Sequence, residues 1–428
     1  MLKGSERMKI SKYNIIKNHN EDLLVYNAFS KASLVLEKDS DISAFEDINA
    51  FNKLSLEEQK LLVENGFIIE DNRDELTELK YIYEQKYFET HYLNIILVPT
   101  LSCNFKCPYC CEKDYSCGRE DVNNYFVTLK KYAKLNFHNH NTVHISLFGG
   151  EPLIHSDECI KFLDWVKEDS AEKGYEYFVT VTTNGSLLNE DNFKKLLNHN
   201  LLSLQITIDS DKDNHDKMRI YQNGNPSFDL LIEKINEVIP LGNEYENFKF
   251  VLRINLNNTN IKKVNETLMR INHKQREKTH LLIRAIYNTH AYNEKNENSV
   301  FELQEYFDLG MELGFNVLKE KYQYQTCESC GDRKTFHLMP DLSIWKCIND
   351  MGYEKSKIGS IKEDGTIELI PENIVNWYKS CMSAFSDSEC LECKMLPDCL
   401  GGCPLYKCKN KGRKSCRSFD MMSLPSIY

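Results

Sequence analysis

The chain has 428 residues, 41% of them hydrophobic and 27% charged, which is the composition of a globular protein of two or three domains. Its 53 basic and 64 acidic side chains give a net charge of -11, which argues against a nucleic-acid-binding protein that depends on phosphate contacts. The longest apolar run, Leu93 to Val98, is too short to cross a membrane and lacks signal-peptide flanks. We therefore expect a cytoplasmic protein with neither nucleic acid nor membrane as a partner. The 16 cysteines are then expected to be metal thiolates rather than disulfides.

The first 88 residues predict a small domain of short strands and helices. Ser55 and Glu58 are spaced as a capping box for a helix that ends at Gly66, and a strand at 67–70 and a helix at 74–88 follow. We interpret residues 1–88 as a winged-helix-like domain, and the alternative is a small domain that only packs against the rest of the protein. Three earlier runs predict an antiparallel meander, namely Tyr13-Asn-Ile-Ile, Leu23-Leu-Val-Tyr and Ala32-Ser-Leu-Val-Leu.

Residues 89–319 alternate strand and helix patterns, which predicts an α/β fold with a parallel sheet and crossover helices. Six strand and helix pairs form a partial (β/α)6 TIM-like barrel, in which chemistry lies in the loops after the carboxyl ends of the strands. The predicted strands lie near 93–99, 142–148, 176–183, 202–208, 248–256 and 280–287. The predicted helices lie near 121–136, 155–173, 189–199, 228–240, 260–274 and 299–319.

A cysteine loop follows the first predicted barrel strand. Cys103, Cys107 and Cys110 have the spacing Cys-x3-Cys-x2-Cys and supply three thiolates. A 4Fe-4S cluster has four irons, so a loop that ligates three of them leaves one iron open to a small molecule. The alternative is a structural zinc site, for which the adjacent Cys111 offers a fourth ligand.

Polar motifs end the following strands of the predicted barrel. In Leu147-Phe-Gly-Gly-Glu-Pro152 the glycines let the backbone approach a ligand, and carbonyl groups and the Glu151 carboxylate can accept hydrogen bonds from an amine. A tight strand-to-helix turn is the alternative for this motif. The third strand ends in Thr182-Thr-Asn-Gly185 and the fourth in Thr207-Ile-Asp-Ser210. Arg253 on the fifth strand offers a guanidinium fork to a carboxylate, or forms a salt bridge at the barrel rim.

Together the cysteine loop and the Gly-Gly-Glu-Pro motif resemble the radical SAM (S-adenosylmethionine) enzymes. The resemblance implies that the amino and carboxylate groups of SAM chelate the open iron, and that SAM is reductively cleaved to a 5'-deoxyadenosyl radical. It implies cofactor-binding roles for Tyr109, Gly149, Gly150, Glu151, Pro152, Thr183, Asn184, Asp209 and Arg253. The family usually has Asp-Gly where this chain has Asp209-Ser210, so the backbone there is expected to be less permissive.

One further element resembles the peptide-modifying members of that family. His215, Asp216 and Arg219 form the pattern His-Asp-x2-Arg. The alternative is a charged helix turn that faces the solvent.

Beyond residue 320 the periodic pattern stops and ten of the cysteines crowd together. The spacing Cys390-x2-Cys393-x5-Cys399-x3-Cys403 resembles the SPASM domain, which holds two auxiliary 4Fe-4S clusters, and we assign residues 320–428 to it. Zinc ribbons are the alternative. The family has a glycine five positions before the strand cysteine of the inner cluster, which is Cys347 here. This chain has Leu342 at that position, so the ligation of the inner cluster is less secure than that of the outer one.

The ligation pattern of SPASM domains assigns most of these cysteines. It implies an outer cluster on Cys390, Cys393, Cys399 and Cys416, and an inner cluster on Cys327, Cys330, Cys347 and Cys403. The remaining cysteines are treated as free thiols, namely Cys111, Cys117, Cys159, Cys381 and Cys408.

The resemblance as a whole implies a radical SAM/SPASM peptide maturase. Such an enzyme would carry three 4Fe-4S clusters, bind SAM, take electrons from a reductant such as flavodoxin or ferredoxin, and form a thioether or carbon-carbon crosslink in a ribosomal precursor peptide. Residues 1–88 resemble its leader-recognition domain.

Two alternative functions remain. One is an anaerobic sulfatase-maturing enzyme, which makes formylglycine. That family normally has an aspartate directly after the inner-cluster strand cysteine. In this chain Ile348 follows Cys347, and Asp350 comes two positions later than the expected aspartate. A non-catalytic peptide-binding homologue is expected to lose a cluster cysteine or the Gly-Gly-Glu turn, and this chain keeps both.

Overall fold

A computed structural model describes residues 7–19, 22–110, 112, 115–118, 120–256, 259–285, 303–318, 334–347, 352–410, 412 and 416. The chain forms two compact units. The first comprises residues 1–89, 321–333 and 376–428, and the second comprises 90–320 and 334–375. The predicted boundary after residue 88 therefore lies next to a boundary between units, whereas the predicted domain 320–428 is divided between them.

The amino-terminal part of the first unit contains the predicted meander. Strands β2, β3 and β4 pair antiparallel in that order, and the capping box of Ser55 and Glu58 begins helix α2 as predicted. A short strand, β1, pairs with β5. The elements are β1 (Met8–Ile10), β2 (Asn14–His19), β3 (Asp22–Asn27), β4 (Ser33–Glu37), α1 (Ile48–Phe51), α2 (Leu56–Glu64), β5 (Ile68–Glu70) and α3 (Glu75–Phe88).

The amino-terminal elements and the carboxyl-terminal cysteine segment share one hydrophobic cluster. Tyr13, Tyr26 and Leu79 pack with Cys390 and Leu396 in it. The Tyr26 hydroxyl also donates to Asp398 Oδ2 at 2.9 Å, and Lys31 forms an ion pair with the same carboxylate. The amino-terminal segment thus packs against the segment that carries the predicted outer-cluster cysteines.

The second unit is built on an eleven-stranded sheet. Its six central strands are parallel, follow one another in chain order and lie within two residues of the predicted bounds, so the partial barrel is confirmed. Large apolar side chains from helices and strands, such as Phe162, Phe193 and Phe250, are buried in a single core. The strands are β6 (Tyr92–Leu97), β7 (Thr142–Leu147), β8 (Glu176–Thr183), β9 (Leu201–Asp209), β10 (Lys249–Leu256) and β11 (Thr279–Ala285).

Helices connect these strands as the periodicity predicts, with three differences. The predicted helix 260–274 is two helices, separated by residues 270–272, and a short helix over 212–218 was not predicted. The helix predicted near 299–319 ends at Glu312, and a strand over Asn316–Val317 lies within its predicted bounds. Every helix in the described ranges is too short or too polar to span a bilayer. The helices are α4 (Val122–Asn136), α5 (Ser156–Lys173), α6 (Glu190–Leu197), α7 (Lys212–Met218), α8 (Phe228–Glu237), α9 (Ile261–Met269), α10 (His273–Arg276) and α11 (Leu303–Glu312).

The sheet continues beyond both sides of the barrel. Strand β12 (Asn316–Val317) pairs with β11, and β13 (Thr335–Leu338) pairs with β6, both parallel. Three antiparallel strands complete the sheet: β14 (Ser343–Trp345), β15 (Lys357–Ile361) and β16 (Ile367–Leu369).

Short helices make up the described carboxyl-terminal region. They were not predicted, because the cysteines and turn residues between them interrupt any apolar periodicity. They are α12 (Pro371–Met382), α13 (Ser388–Glu392), α14 (Leu396–Cys399) and α15 (Pro404–Lys409).

Candidate active site

The cysteine loop follows β6 at its carboxyl end, as the barrel geometry requires. Cys103, Cys107 and Cys110 are partly buried there. Burial raises the pKa of the Cys103 thiol to about 12 and that of Cys110 to about 11. Thiols in such an environment stay protonated unless a bound metal offsets the charge of the thiolate.

The environment of these thiols fits a cluster. The Cys103 sulfur accepts hydrogen bonds from the Phe105 backbone N–H at 3.4 Å and from the Asn184 side-chain amide at 3.7 Å. Donors of this kind stabilise and tune cluster thiolates. In the described ranges no three His, Cys, Asp or Glu side chains converge closely enough to hold one metal ion. A 4Fe-4S cluster does not need that convergence, since each thiolate binds a different iron.

The two glycines after β7 allow a close approach to the backbone that leads into the cysteine loop. Gly149 has φ +123°, and a Cβ atom on it would lie 2.6 Å from the Thr100 carbonyl oxygen. A Cβ on Gly150 would lie 2.4 Å from the Leu101 carbonyl oxygen. Larger residues here would displace the backbone that leads into the cysteine loop.

Glu151 joins the ends of two strands. It is completely buried, and its Oε1 accepts hydrogen bonds from the Thr183 hydroxyl at 2.7 Å and the Leu153 N–H at 3.0 Å. Its Oε2 accepts from the Asn184 N–H at 2.7 Å. Burial raises the pKa of Glu151, and these hydrogen bonds lower it. Three protein donors thus hold the carboxylate that the resemblance assigns to SAM, while Pro152 begins the short helix Pro152–His155.

Tyr109 and Asp209 meet in a buried polar network. The Tyr109 hydroxyl lies 2.7 Å from Asp209 Oδ2 and receives a hydrogen bond from Arg219 Nη1 at 3.0 Å. The Asn255 amide donates to Asp209 Oδ1 at 3.2 Å. Burial raises the pKa of Asp209, whereas the charge of Arg219 lowers it. The network connects the cysteine loop with the ends of β9 and β10.

Arg219 is a site residue that sequence reasoning did not rank with the cofactor-binding residues. It is half-buried, and its Nε is shielded from solvent and has no hydrogen-bond partner among the described residues. Arg253 instead donates from Nε to Asn255 Oδ1 at 2.9 Å and forms no ion pair within the described ranges. The salt-bridge alternative for Arg253 is therefore wrong for those residues. Asn255 was missed as well, although it follows Arg253 by two positions on a strand and so shares its face.

A hydrogen-bond chain fixes the position of Arg219. The Asp209 N–H donates to His215 Nδ1 at 3.1 Å, so the neutral ring carries its proton on Nε2, which lies 2.9 Å from Ser227 Oγ. The Ser227 hydroxyl donates to the Arg219 carbonyl oxygen at 2.5 Å. Burial keeps the pKa of His215 well below its usual value. The His-Asp-x2-Arg element is therefore not a solvent-facing helix turn.

Glu112 is a second site residue that the sequence did not reveal. Its side chain is buried beside the cysteine loop, and its Oε1 has no hydrogen-bond partner among the described residues. Burial, with the neighbouring Glu120 and Glu151, raises the pKa of Glu112 to about 8. A carboxyl group two positions after Cys110 gives no sequence signal, since acidic residues are frequent in exposed loops.

The predicted outer-cluster cysteines influence one another electrostatically. Burial raises the pKa of the Cys399 thiol, and the charges of Cys393 and Cys416 raise it further. Cys390 is buried in the same unit, on α13. The Gly402 N–H donates to the Cys399 carbonyl oxygen at 2.8 Å, which closes the turn after this cysteine.

Other predicted cysteines are distributed as follows. Cys347 is buried shortly after β14 in the second unit, while Cys327 and Cys330 lie outside the described residues, as does Cys111. Cys159 and Cys381 are buried, and the Cys408 sulfur lies 3.1 Å from Ser380 Oγ. The described cysteines form no disulfide bond.

The fold and this site define a radical SAM enzyme. Residues 97–271, from the end of β6 to just beyond α9, match the model of the Radical SAM superfamily. The chain thus carries a radical SAM domain over these residues, and this domain implies one 4Fe-4S cluster and SAM.

Individual proteins resemble the chain over a longer range. It is 26% identical over 345 residues to a cysteine-type anaerobic sulfatase-maturating enzyme of Clostridium novyi (strain NT), which covers 73% of this chain and 87% of that protein. The structure of anSMEcpe with bound AdoMet (SAM) shares the fold with a TM-score of 0.55 at 17% identity, over 78% of this chain and 93% of that one.

A second solved structure extends over nearly the whole chain. SuiB of Streptococcus suis matches with a TM-score of 0.53 at 15% identity, over 96% of this chain and 100% of that one. SuiB bound to its precursor peptide SuiA gives a TM-score of 0.52 at 14% identity, over 98% of this chain and 100% of that one.

Proposed function

We propose that this enzyme cleaves SAM reductively and uses the resulting radical to crosslink a ribosomally made precursor peptide. The observation that carries the proposal is the amino-terminal segment. Residues 7–89 form an open-edged sheet with helices beside it, which is a ready surface for an extended peptide. The fold similarity to SuiB covers 96% of the chain, against 78% for anSMEcpe.

Cys103, Cys107 and Cys110 would hold the SAM-binding cluster. When bound, the cluster and SAM supply the electron transfer and the radical chemistry. The residues of the chain orient and shield them. Glu151 holds the strand ends together, and the Nε–H of Arg219, which has no partner within the described ranges, is available to a carboxylate.

The auxiliary clusters are a second part of the proposal. Cys390, Cys393, Cys399 and Cys416 would hold the outer cluster, which the electrostatic influence of Cys393 and Cys416 on Cys399 supports. Cys403 would join Cys327, Cys330 and Cys347 on the inner cluster. A reductant such as flavodoxin or ferredoxin would supply the electron for SAM cleavage.

Strand β4 is the edge we propose for leader binding. The Asn27 N–H donates to the Ala32 carbonyl, so alternate residues of β4 direct their backbone groups toward β3. Val35 is one of the intervening residues of β4, whose backbone N–H groups face away from β3. Its side chain is 44% exposed. An extended leader that paired here would raise the concentration of the peptide core at the barrel.

Formylglycine formation is the second candidate, and the identity to the sulfatase-maturating enzyme of Clostridium novyi favours it. The residue after Cys347 argues against it, because Ile348 cannot act as a base.

Mass spectrometry distinguishes the candidates. The anaerobically reconstituted enzyme is incubated with SAM, a reductant and the precursor peptide encoded nearest to it. A crosslink lowers the peptide mass by two hydrogens, whereas formylglycine reacts with a hydrazine probe as an aldehyde. Reactions without SAM are the control, and an aldehyde product without a crosslink would contradict the proposal.

A further inference from the structure

Lys407 on α15 is a buried cation. Its exposed fraction is 1%, and its Nζ donates to the carbonyl oxygens of Ser380 at 2.9 Å and Leu400 at 3.4 Å. No acidic side chain among the described residues forms an ion pair with it. Removing an ammonium group from water is costly unless an opposite charge is close, and neutral carbonyls compensate only part of that cost.

The ammonium group lies beside the residues that follow Cys399, since Nζ donates to the Leu400 carbonyl oxygen. Burial lowers the pKa of Lys407, and the charges of Cys381, Cys390, Cys399 and Cys403 oppose that shift. Cys390 and Cys399 belong to the predicted outer cluster. As metal-bound thiolates they would supply the negative charge that the environment of Lys407 otherwise lacks.

The turn after Cys399 is shaped around this lysine. Leu400 and Gly401 both have left-handed backbone, with φ +46° and +76°. A Cβ atom on Gly401 would lie 2.9 Å from Lys407 Nζ, so glycine leaves the room that the ammonium group occupies. The Gly402 N–H closes the same turn by donating to the Cys399 carbonyl oxygen at 2.8 Å. A tight turn and a buried cation therefore meet beside one predicted ligand.

We propose that Lys407 is the buried counter-charge of the outer auxiliary cluster and raises its reduction potential. The role rests on the outer cluster of the proposed function. A cluster with four thiolates is anionic and gains a further negative charge on reduction, so a fixed positive charge beside it stabilises the reduced form more. The low polarity of the surroundings makes this effect stronger than that of an exposed lysine.

Redox titration followed by electron paramagnetic resonance tests the role. The full chain is reconstituted anaerobically with Cys103, Cys107 and Cys110 replaced by alanine, so that only auxiliary clusters contribute to the signal. Lys407→Met is expected to shift the potential of one cluster to a more negative value, and Lys407→Arg to keep it near the parent value. Lys394→Met removes an exposed charge next to Cys393 and is the matched control, expected to cause little shift.

Each outcome decides the proposal. An unchanged potential in Lys407→Met, or an equal shift in Lys394→Met, would overturn it. If Lys407→Met loses iron, retention of iron and potential in Lys407→Arg supports the counter-charge, whereas loss in both variants overturns it in favour of a packing role.

The test is also separable from the proposed function. Auxiliary clusters that respond to Lys407 in a chain that modifies no peptide would contradict only the peptide activity. A parent without auxiliary iron would contradict the outer cluster and Lys407's role together.

Discussion

Burial fixes the protonation of single residues, and His337 in β13 is the clearest case. Its ring is 1% exposed, and Nδ1 lies 3.3 Å from the Trp345 carbonyl oxygen, to which it can donate. Burial lowers the pKa of His337 from 6.5 to about 4. As the pH falls below 6.5 the unfolded chain binds a proton that the folded chain does not, so stability is lost in that range.

We therefore expect the free energy of unfolding to fall on acidification partly through His337. Between about pH 8 and about pH 5.5, His337 should account for a loss of about 1.4 kcal/mol in the free energy of unfolding. His337→Asn keeps an N–H donor but cannot bind the proton, so the variant should lose less stability over the same range. Anaerobic urea denaturation at both pH values measures it, and equal losses in both proteins would refute the assignment.

Site residues differ in how far the sequence reveals them. The cysteines and the Gly-Gly-Glu turn are found from spacing, because their geometry is local. Arg219 was named only as part of a motif, since its burial depends on a hydrogen-bond chain through His215 and Ser227 that spans several elements. Glu112 gave no signal, for its burial is a property of tertiary packing alone.

At the scale of elements, two departures from the family's glycines coincide with left-handed backbone. Ser210 after β9 has φ +44°, and Leu342 before β14 has φ +64°. Residues with a Cβ are disfavoured there. The sequence predicted a less permissive backbone at Ser210, and the structure explains what that residue gains, because its hydroxyl donates to the Asn255 carbonyl at 3.0 Å.

A matched pair of variants separates these two effects at Ser210. Ser210→Ala loses the hydrogen bond of the hydroxyl group and keeps a Cβ on left-handed backbone. The lost hydrogen bond should lower the free energy of unfolding by about 1 kcal/mol. Ser210→Gly loses the same bond but relieves the strain, so it should be more stable than the alanine variant by about 1 kcal/mol. Thermal unfolding under anaerobic conditions compares them. A glycine variant no more stable than the alanine variant would show that φ at this position is not strained.

The β4 edge allows a test of leader binding that leaves the domain intact. Val35→Pro removes one outward N–H at an exposed position, so we expect leader affinity and precursor modification to fall by about tenfold, the loss of one hydrogen bond. Val35→Ala keeps the N–H and is the control. Fluorescence anisotropy with a labelled leader peptide gives the affinity, and unchanged binding in Val35→Pro would exclude this edge.

Elements were predictable where hydrophobic periodicity is strong. All six barrel strands, and the capping box at Ser55, follow from local pattern. Helix α7 was missed because its seven residues contain no apolar stripe, and α12 to α15 because cysteines and prolines interrupt the pattern. The return of the chain through β13 to pair with β6 is long-range and left no trace in the sequence.

At the scale of the whole molecule, the amino-terminal segment supports the predicted outer-cluster segment. Tyr13, Tyr26 and Leu79 cover Cys390 and Leu396, and Lys31 pairs with Asp398. Deletion of residues 1–85 would expose this cluster of side chains, so it would confuse peptide binding with stability. Point variants on β4 are the cleaner test.

Metal content tests the division of the cysteines. Eleven cysteines have the spacings of three 4Fe-4S clusters, so about twelve irons per chain are expected after anaerobic reconstitution. Cys381→Ala and Cys408→Ala should retain that content because neither is an assigned ligand, although both lie in the same unit as the outer set. About four irons, or stoichiometric zinc, would contradict the three-cluster assignment.

The most direct measurement is the formation of 5'-deoxyadenosine from SAM by the reduced protein. The wild-type chain should form it, and the triple variant with alanine at Cys103, Cys107 and Cys110 should form none while keeping about eight irons. Chromatography with mass detection quantifies the product. Formation of 5'-deoxyadenosine by the triple variant would contradict the central claim that these three cysteines hold the cluster that cleaves SAM.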